Sequence, residues 1–252
     1  MYKRQKLRCI AVGGKLVSVP MIYDENGFHF DPDSIIKAIT PKTKIIVIAN
    51  PNNPTGNFMD QEGFIKIAET GLPFVVDEAY VEFAGLQKSQ VELTKKYPNV
   101  IVTRTLSKAY GLAGLRFGYA LGDKDTISQI AATVIPWNVG IIPMWAALAA
   151  FEDQEALKER VDFNNSQIEY IENELKDVPG LRVFHSYGNY ILFDGTDAGK
   201  KGKDMVDYAL KNGLIFRNQD PMYGRDGFFR ITIGTKEENE LAVKVIKEFF
   251  SK

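Results

Sequence analysis

Ile45-Ile46-Val47-Ile48-Ala49-Asn50-Pro51-Asn52-Asn53-Pro54-Thr55-Gly56 is the stretch from which the fold can be read. It opens as an apolar, mostly β-branched run and ends in strong turn chemistry. Such a run reads as a short strand buried on both faces, the usual pattern of a parallel sheet. The pattern recurs downstream. Pro73-Phe74-Val75-Val76 runs into Asp77-Glu78, and Val100-Ile101-Val102-Thr103 leads to Leu106-Ser107-Lys108. Between the first two runs a helix is predicted over residues 60–70, with Phe64, Ile65, Ile67 and Ala68 apolar and Gly71 as C-cap. Strands alternating with helices predict an α/β fold, a mainly parallel sheet with helices on both faces.

The second half reads differently. Residues 155–176 form a long charged amphipathic helix stopped by Pro179-Gly180. Strands are predicted at 181–184, 189–193, 214–216 and 228–233, and helices at 203–211 and 236–250. This is an α+β layout. The expected organisation is a large domain over residues 1–150 and a smaller C-terminal α+β domain over 151–252.

Composition narrows the function classes. The chain has 252 residues, 45% hydrophobic and 25% charged, which is ordinary globular composition. Lys and Arg total 31 against 32 Asp and Glu, so the net charge is −1 and no nucleic-acid or membrane partner is expected. Cys9 is the lone cysteine, which rules out an internal disulfide and fits a reducing, cytoplasmic setting. Met1 to Lys6 carries charge with no apolar stretch behind it, so it does not read as a signal peptide. Residues 126–151 lack any charged side chain, but Pro136, Asn138, Gly140 and Pro143 interrupt them. A buried connector or part of a subunit interface is expected there rather than a membrane span, with Trp137 in packing or at the interface.

Polar groups collect at the strand ends. Asn53, Asp77 and Ser107-Lys108 each follow a predicted strand, and in open α/β sheets ligands bind in the crevice at the carboxyl ends. Taken singly, Asn53 is turn chemistry, Asp77 a helix N-cap and Lys108 a solvated charge. Together they deliver an amide, a carboxylate and an amine to one edge. That set suits pyridoxal-phosphate (PLP) chemistry. Lys108 would form the Schiff base, and Asp77 would keep the pyridine nitrogen protonated. Tyr80 and Asn53 could bond the ring oxygen, while Ser107 and Arg116 could hold the phosphate. Two scattered histidines, His29 and His185, make no metal site.

Asn53-Pro54-Thr55-Gly56, Asp77-Glu78-Ala79-Tyr80 and the run from Ser107-Lys108 through Gly114-Leu115-Arg116 to Tyr119 resemble the signature blocks of fold-type I (class I/II) aminotransferases. The resemblance implies the same roles for Lys108, Asp77, Asn53, Tyr80, Ser107 and Arg116. Lys108 is implied to shuttle a proton as well. Within the class, Val76 to Phe83, Arg104 to Arg116 and Phe229-Arg230-Ile231-Thr232-Ile233-Gly234-Thr235 are similar to histidinol-phosphate aminotransferases. That likeness implies exchange of an amino group between L-histidinol phosphate and 2-oxoglutarate, within histidine biosynthesis. Arg230 and Arg217 are implied to grip the substrate phosphate, and Asn53 to face the substrate. Arg217 also reads as a surface charge after a strand; Arg230 interrupts an apolar strand and wants a partner. A homodimer is implied.

The resemblance is expected to begin near Leu7, and roughly the first third of the usual family chain has no counterpart here. That part normally supplies a phosphate-cradling loop, a ring-stacking aromatic and a tyrosine reaching the partner's cofactor. Exposed apolar surface is therefore expected. Alternatives stay open: an aromatic-amino-acid aminotransferase, a threonine-phosphate decarboxylase, a PLP-binding regulatory domain, or an inactive fragment.

Overall fold

The computed structural model describes residues 2–252; Met1, which opens the N-terminal run considered above, lies outside the described residues. The first half contains α1 (Tyr2–Ala11), β1 (Ile22–Asp24), β2 (Gly27–His29), α2 (Pro32–Lys37), β3 (Ile46–Ala49), α3 (Gln61–Ala68) and β4 (Phe74–Asp77). It continues with α4 (Val81–Ala84), α5 (Leu93–Lys96), β5 (Val100–Thr105), β6 (Gly118–Gly122), α6 (Lys124–Thr133) and α7 (Ile141–Glu152). Then follow α8 (Gln154–Leu175), β7 (Arg182–Phe184), β8 (Tyr190–Asp194), α9 (Gly202–Lys211), β9 (Arg217–Asn218), α10 (Asp220–Tyr223), β10 (Phe228–Thr232) and α11 (Lys236–Phe250).

The first sheet has the order β3-β4-β5-β6. Strands β3, β4 and β5 are parallel, in register Ile46↔Phe74↔Val100, and β6 runs antiparallel to β5. Side chains alternate across a strand. Ile46, Ile48, Phe74, Val76, Val100 and Val102 therefore share one face, which packs on Phe64, Ile67 and Ala68 of α3 and Leu93 of α5. On the other face Val47 is 46% exposed, so burial on both faces fails at this edge strand. Helix α3 starts where Asp60 accepts a hydrogen bond from the Gly63 N–H, and it ends at Ala68, short of Thr70. The chain then reverses at Gly71, whose φ of 71° suits glycine.

The second sheet, β7-β8-β10-β9, is antiparallel throughout. Ile191, Phe193, Phe229 and Ile231 face the helical layer, meeting Ile168, Ile171 and Leu175 of α8, Met205 and Ala209 of α9, and Val243 and Ile246 of α11. The opposite face, with Phe184, Leu192 and Phe228, packs on Phe28 of the β1–β2 hairpin and on Tyr23 and Tyr223. Tyr23 Oη donates to Asp194 Oδ2 at 2.6 Å and accepts from Arg182 Nη1 at 2.9 Å. Helix α11 opens with a capping box between Thr235 and Glu238.

Several expectations are corrected. The strand expected at 214–216 forms instead at Arg217–Asn218. Leu214 N–H still bonds the Ala209 carbonyl at the helix end, and Ile215 is 89% exposed. Residues 126–151 are not a buried connector: α6 and α7 are mostly exposed, and Ala147 is the one residue of these helices classed as buried. Trp137 does not pack within the chain but is 95% exposed. Ile142 and Trp145 are likewise exposed, so the expected apolar surface is present. No helix among the described residues is long and apolar enough to cross a membrane.

Phe193 is fully buried and stacks on Phe229 with ring centroids 4.9 Å apart. Phe193→Ala is expected to cost about 3–5 kcal/mol, read as a lower urea midpoint with little change in slope.

Candidate active site

The loop after β3 is held rigidly. Buried Asn50 accepts from the Met59 N–H at 2.9 Å, and Asn52 Nδ2 donates to Thr55 Oγ1 at 2.6 Å. Gly56 has φ 78°, and a Cβ there would lie 2.7 Å from the Ser186 Cα, so only glycine lets the loop approach this closely. Two further bonds tie the loop to the second sheet: Tyr190 Oη donates to the Asn52 carbonyl at 2.7 Å, and Tyr187 N–H to the Gly56 carbonyl at 2.9 Å. The loop thus bridges the two sheets.

Asn53 stands in this bridge. Its Nδ2 donates to Tyr80 Oη at 2.8 Å, and its Oδ1 accepts from Arg230 Nη1 at 2.7 Å. A guanidinium has no acceptor, which fixes which end of the amide faces Arg230. Tyr80 meets Tyr190 edge-on at 5.0 Å, and the Arg230 guanidinium lies 5.2 Å from the Tyr190 ring centroid. Burial lowers the Arg230 pKa, and the neighbouring Arg217 charge acts in the same direction. Arg217 is the register partner of Arg230 across β9 and β10, although its own side chain is exposed. Arg230 Nε is buried without a hydrogen-bond partner.

Lys108 and Asp77 complete the group. Lys108 Nζ lies 5.1 Å from the Tyr80 ring centroid. Asp77 ends β4 and accepts the Ala79 N–H at 3.2 Å. Burial raises the Asp77 carboxyl pKa, and the Lys108 charge opposes that rise. A half-buried carboxylate with so little hydrogen bonding suits a cationic partner. Ser107 Oγ and Thr105 Oγ1 are hydrogen-bonded at 2.9 Å. Arg116 stands apart. It adopts a left-handed backbone, φ 57°, and its exposed side chain bonds the Ala113 carbonyl at 2.8 Å. The carbonyl of its neighbour Phe117 accepts from Leu106 N–H and Thr105 Oγ1.

Behind these residues sits a buried ion pair that sequence reading missed. Arg104 Nε donates to Glu78 Oε2 at 3.0 Å, and the Glu78 side chain is fully buried. Ser89 Oγ and Gln90 N–H also donate to Glu78, and Arg104 Nη2 donates to Ser89 Oγ at 2.7 Å. Glu78 follows Asp77, and Arg104 precedes Lys108 on the next strand, so the pair joins the segments carrying both groups. The available signal was the one used for Arg230, a charge embedded in apolar sequence. Tyr190 was also missed, read only as a strand residue. Glu82 is buried beside Arg104 and Glu78, and burial pushes its carboxyl up to about 7.

His29 and His185 pair locally with Asp24 and Glu172, and no group of three or more His, Cys, Asp and Glu able to hold a metal occurs among the described residues. Asn189 accepts the Ile233 N–H through its carbonyl, a strand-edge bond.

The fold and the gathered residues define an α/β protein of the PLP-transferase fold. A solved histidinol-phosphate aminotransferase from Clostridium acetobutylicum superposes with TM-score 0.89 at 26% identity, covering 99% of this chain and 75% of that one. One from Sinorhizobium meliloti, in complex with pyridoxal-5'-phosphate, gives TM-score 0.84 at 30% identity, covering 98% and 67%. The family model for aminotransferase class I and II matches residues 2–246, and the chain belongs to that family. The match reaches back beyond Leu7, where the resemblance was expected to begin. Curated histidinol-phosphate aminotransferases from Methanothermobacter thermautotrophicus and Cytophaga hutchinsonii are 34% and 36% identical over 90% and 93% of this chain. They are covered over 61% and 66% of their own length, so the chain spans about three fifths of such relatives.

Two outcomes are expected of the buried charges. Arg104→Met strands Glu78 and should cost about 3–5 kcal/mol in denaturant unfolding. For Glu82, the folded pKa of about 7 lies above its ordinary 4.5, so the unfolded chain ionises first. Its contribution therefore falls as pH rises from 4.5 to about 7 and stays low above that. Glu82→Gln should flatten this part of the stability–pH curve. Above pH 7 it should raise stability by roughly 3 kcal/mol, and an unchanged curve would count against the assignment.

Proposed function

We propose that the protein is a PLP-dependent aminotransferase acting on L-histidinol phosphate, with 2-oxoglutarate as acceptor, in histidine biosynthesis. The observation that carries this reading is the Asn53 amide, held between Tyr80 on the cofactor side and Arg230 on the substrate side. The residues suit PLP. Asp77 offers a half-buried carboxylate for the ring nitrogen, and Tyr80 and Asn53 offer hydrogen bonds for the ring oxygen. Ser107 offers a hydroxyl to the phosphate, and Arg116 would offer guanidinium N–H donors once released from the Ala113 carbonyl. Bound PLP supplies an electron sink that makes a substrate Cα proton removable.

The chain's own groups do the rest. Lys108 would hold the cofactor through its amine, and the same amine, when free, would move a proton at the substrate Cα. Asp77 holds the proton of the ring nitrogen. Arg230 and Arg217, opposite one another on neighbouring strands, bind the substrate phosphate, and two guanidiniums suit a dianion better than one. The curated relatives carrying the histidinol-phosphate name support this choice. In the same proposal, residues 1–150 form the cofactor-binding domain and 151–252 the smaller one, and the enzyme works as a cytoplasmic homodimer.

Borohydride treatment of the protein mixed with PLP should fix the cofactor onto Lys108, located by peptide mass, and Lys108→Ala should abolish both attachment and visible absorbance. No attachment would favour an inert chain. Activity on histidinol phosphate should exceed that on phenylalanine, and Arg230→Met should lower kcat/KM for histidinol phosphate by about a hundredfold. A preference for phenylalanine would overturn the substrate assignment.

A further inference from the structure

The face of the second sheet that carries Arg230 holds another buried donor with no hydrogen bond. Phe228 and Arg230 are two residues apart on β10 and so share a face, opposite Asp194 and Leu192 of β8. Tyr223, at the end of α10, lies over that face. Its ring centroid is 4.3 Å from that of Phe228 and 5.2 Å from that of Phe28. Both Tyr223 Oη and Arg230 Nε are buried without a hydrogen-bond partner. The neighbouring tyrosines are engaged: Tyr23 Oη with Asp194, Tyr190 Oη with the Asn52 carbonyl, and Tyr80 Oη with Asn53.

Buried donors left unpaired are unfavourable, and native proteins rarely keep them without cause. An anion beside Arg230 would satisfy both at once. The Arg230 charge acts on the Tyr223 phenol, which places the two within electrostatic reach. Burial raises the phenol pKa, so Tyr223 stays protonated and presents a donor rather than a competing negative charge.

We propose that Tyr223 is a specificity-determining residue, whose hydroxyl donates to the anionic group held by Arg230 and so favours a phosphate monoester over a carboxylate. The proposal rests on Arg230 as the anion grip. A guanidinium can fill both oxygens of a carboxylate side-on. A phosphate monoester presents a further terminal oxygen, and Tyr223 supplies its donor.

The test uses the whole chain with arginine labelled by nitrogen-15, following the Arg230 Nε–H signal, assigned by its loss in Arg230→Lys. Inorganic phosphate should shift this signal at lower concentration than acetate does. Tyr223→Phe, which keeps the ring on Phe28 and Phe228, should weaken phosphate binding about tenfold and acetate binding less than about twofold. Unmoved Nε signals from Arg104 and Arg182 would report that the variant is folded. Unchanged phosphate affinity in Tyr223→Phe, with the Arg230 signal still responding, overturns the role of Tyr223 and leaves the Arg230 grip intact. Equal weakening of both anions overturns the specificity claim. An Arg230 signal indifferent to phosphate overturns the grip and the Tyr223 proposal with it.

Discussion

The arrangement depends on a single amide. Asn53 is reached from one side by the Arg230 guanidinium of the second sheet, and from the other it reaches the Tyr80 phenol beyond β4. An amide can do this because it carries a donor and an acceptor at opposite ends. Its carrier loop is locked by Asn50, by the Gly56 approach to Ser186 and by Tyr190. The amide therefore faces its partners with little freedom left to lose, and groups contributed by both sheets meet in one register.

Charge is buried around that amide with varying degrees of compensation. Glu78 and Arg104 satisfy each other and recruit Ser89 and the Gln90 backbone N–H behind the strand ends, although the Gln90 and Glu82 side chains beside them each keep a buried oxygen without a partner. Asp77 has one backbone donor, and Arg230 keeps an unpaired Nε. The Arg104 guanidinium donates from Nε and Nη2 into the scaffold, whereas the buried Arg230 Nε donates to nothing. That contrast separates Arg104 from Arg230, although both are arginines on sheet strands close to the site.

Much of this was legible in sequence. The strands ending at Ala49 and Asp77 follow from apolar runs broken by turn residues. Helix α11 has the bounds expected of it, Lys236–Phe250, and its start is fixed locally by the Thr235–Glu238 capping box. Strand β6 was not foreseen, since Gly118–Gly122 becomes a strand only by pairing with β5. The strand near 214 slipped downstream because Leu214 remains tied to its helix. Residues 126–151 misled because apolar composition does not say what covers a surface. In the site, Asn53, Asp77, Tyr80, Lys108 and Arg230 could be named from spacing and resemblance. The orientation of Arg116 and the unpaired hydroxyl of Tyr223 are tertiary facts, visible only when distant segments are packed.

The β1–β2 hairpin carries a final consequence. It lies near the start of the chain, yet Phe28 and Tyr23 pack on Phe184, Leu192 and Phe228 of the C-terminal sheet. Tyr23 also sits between the Arg182 and Arg225 guanidiniums, at 5.0 and 5.3 Å from its ring centroid. The C-terminal sheet thus borrows one of its walls from far upstream, Tyr23 and Asp194 being 171 positions apart. Contacts separated by so many residues close late and slowly when a chain collapses. The second face of that sheet can be sealed only after the segment between hairpin and sheet has been laid down.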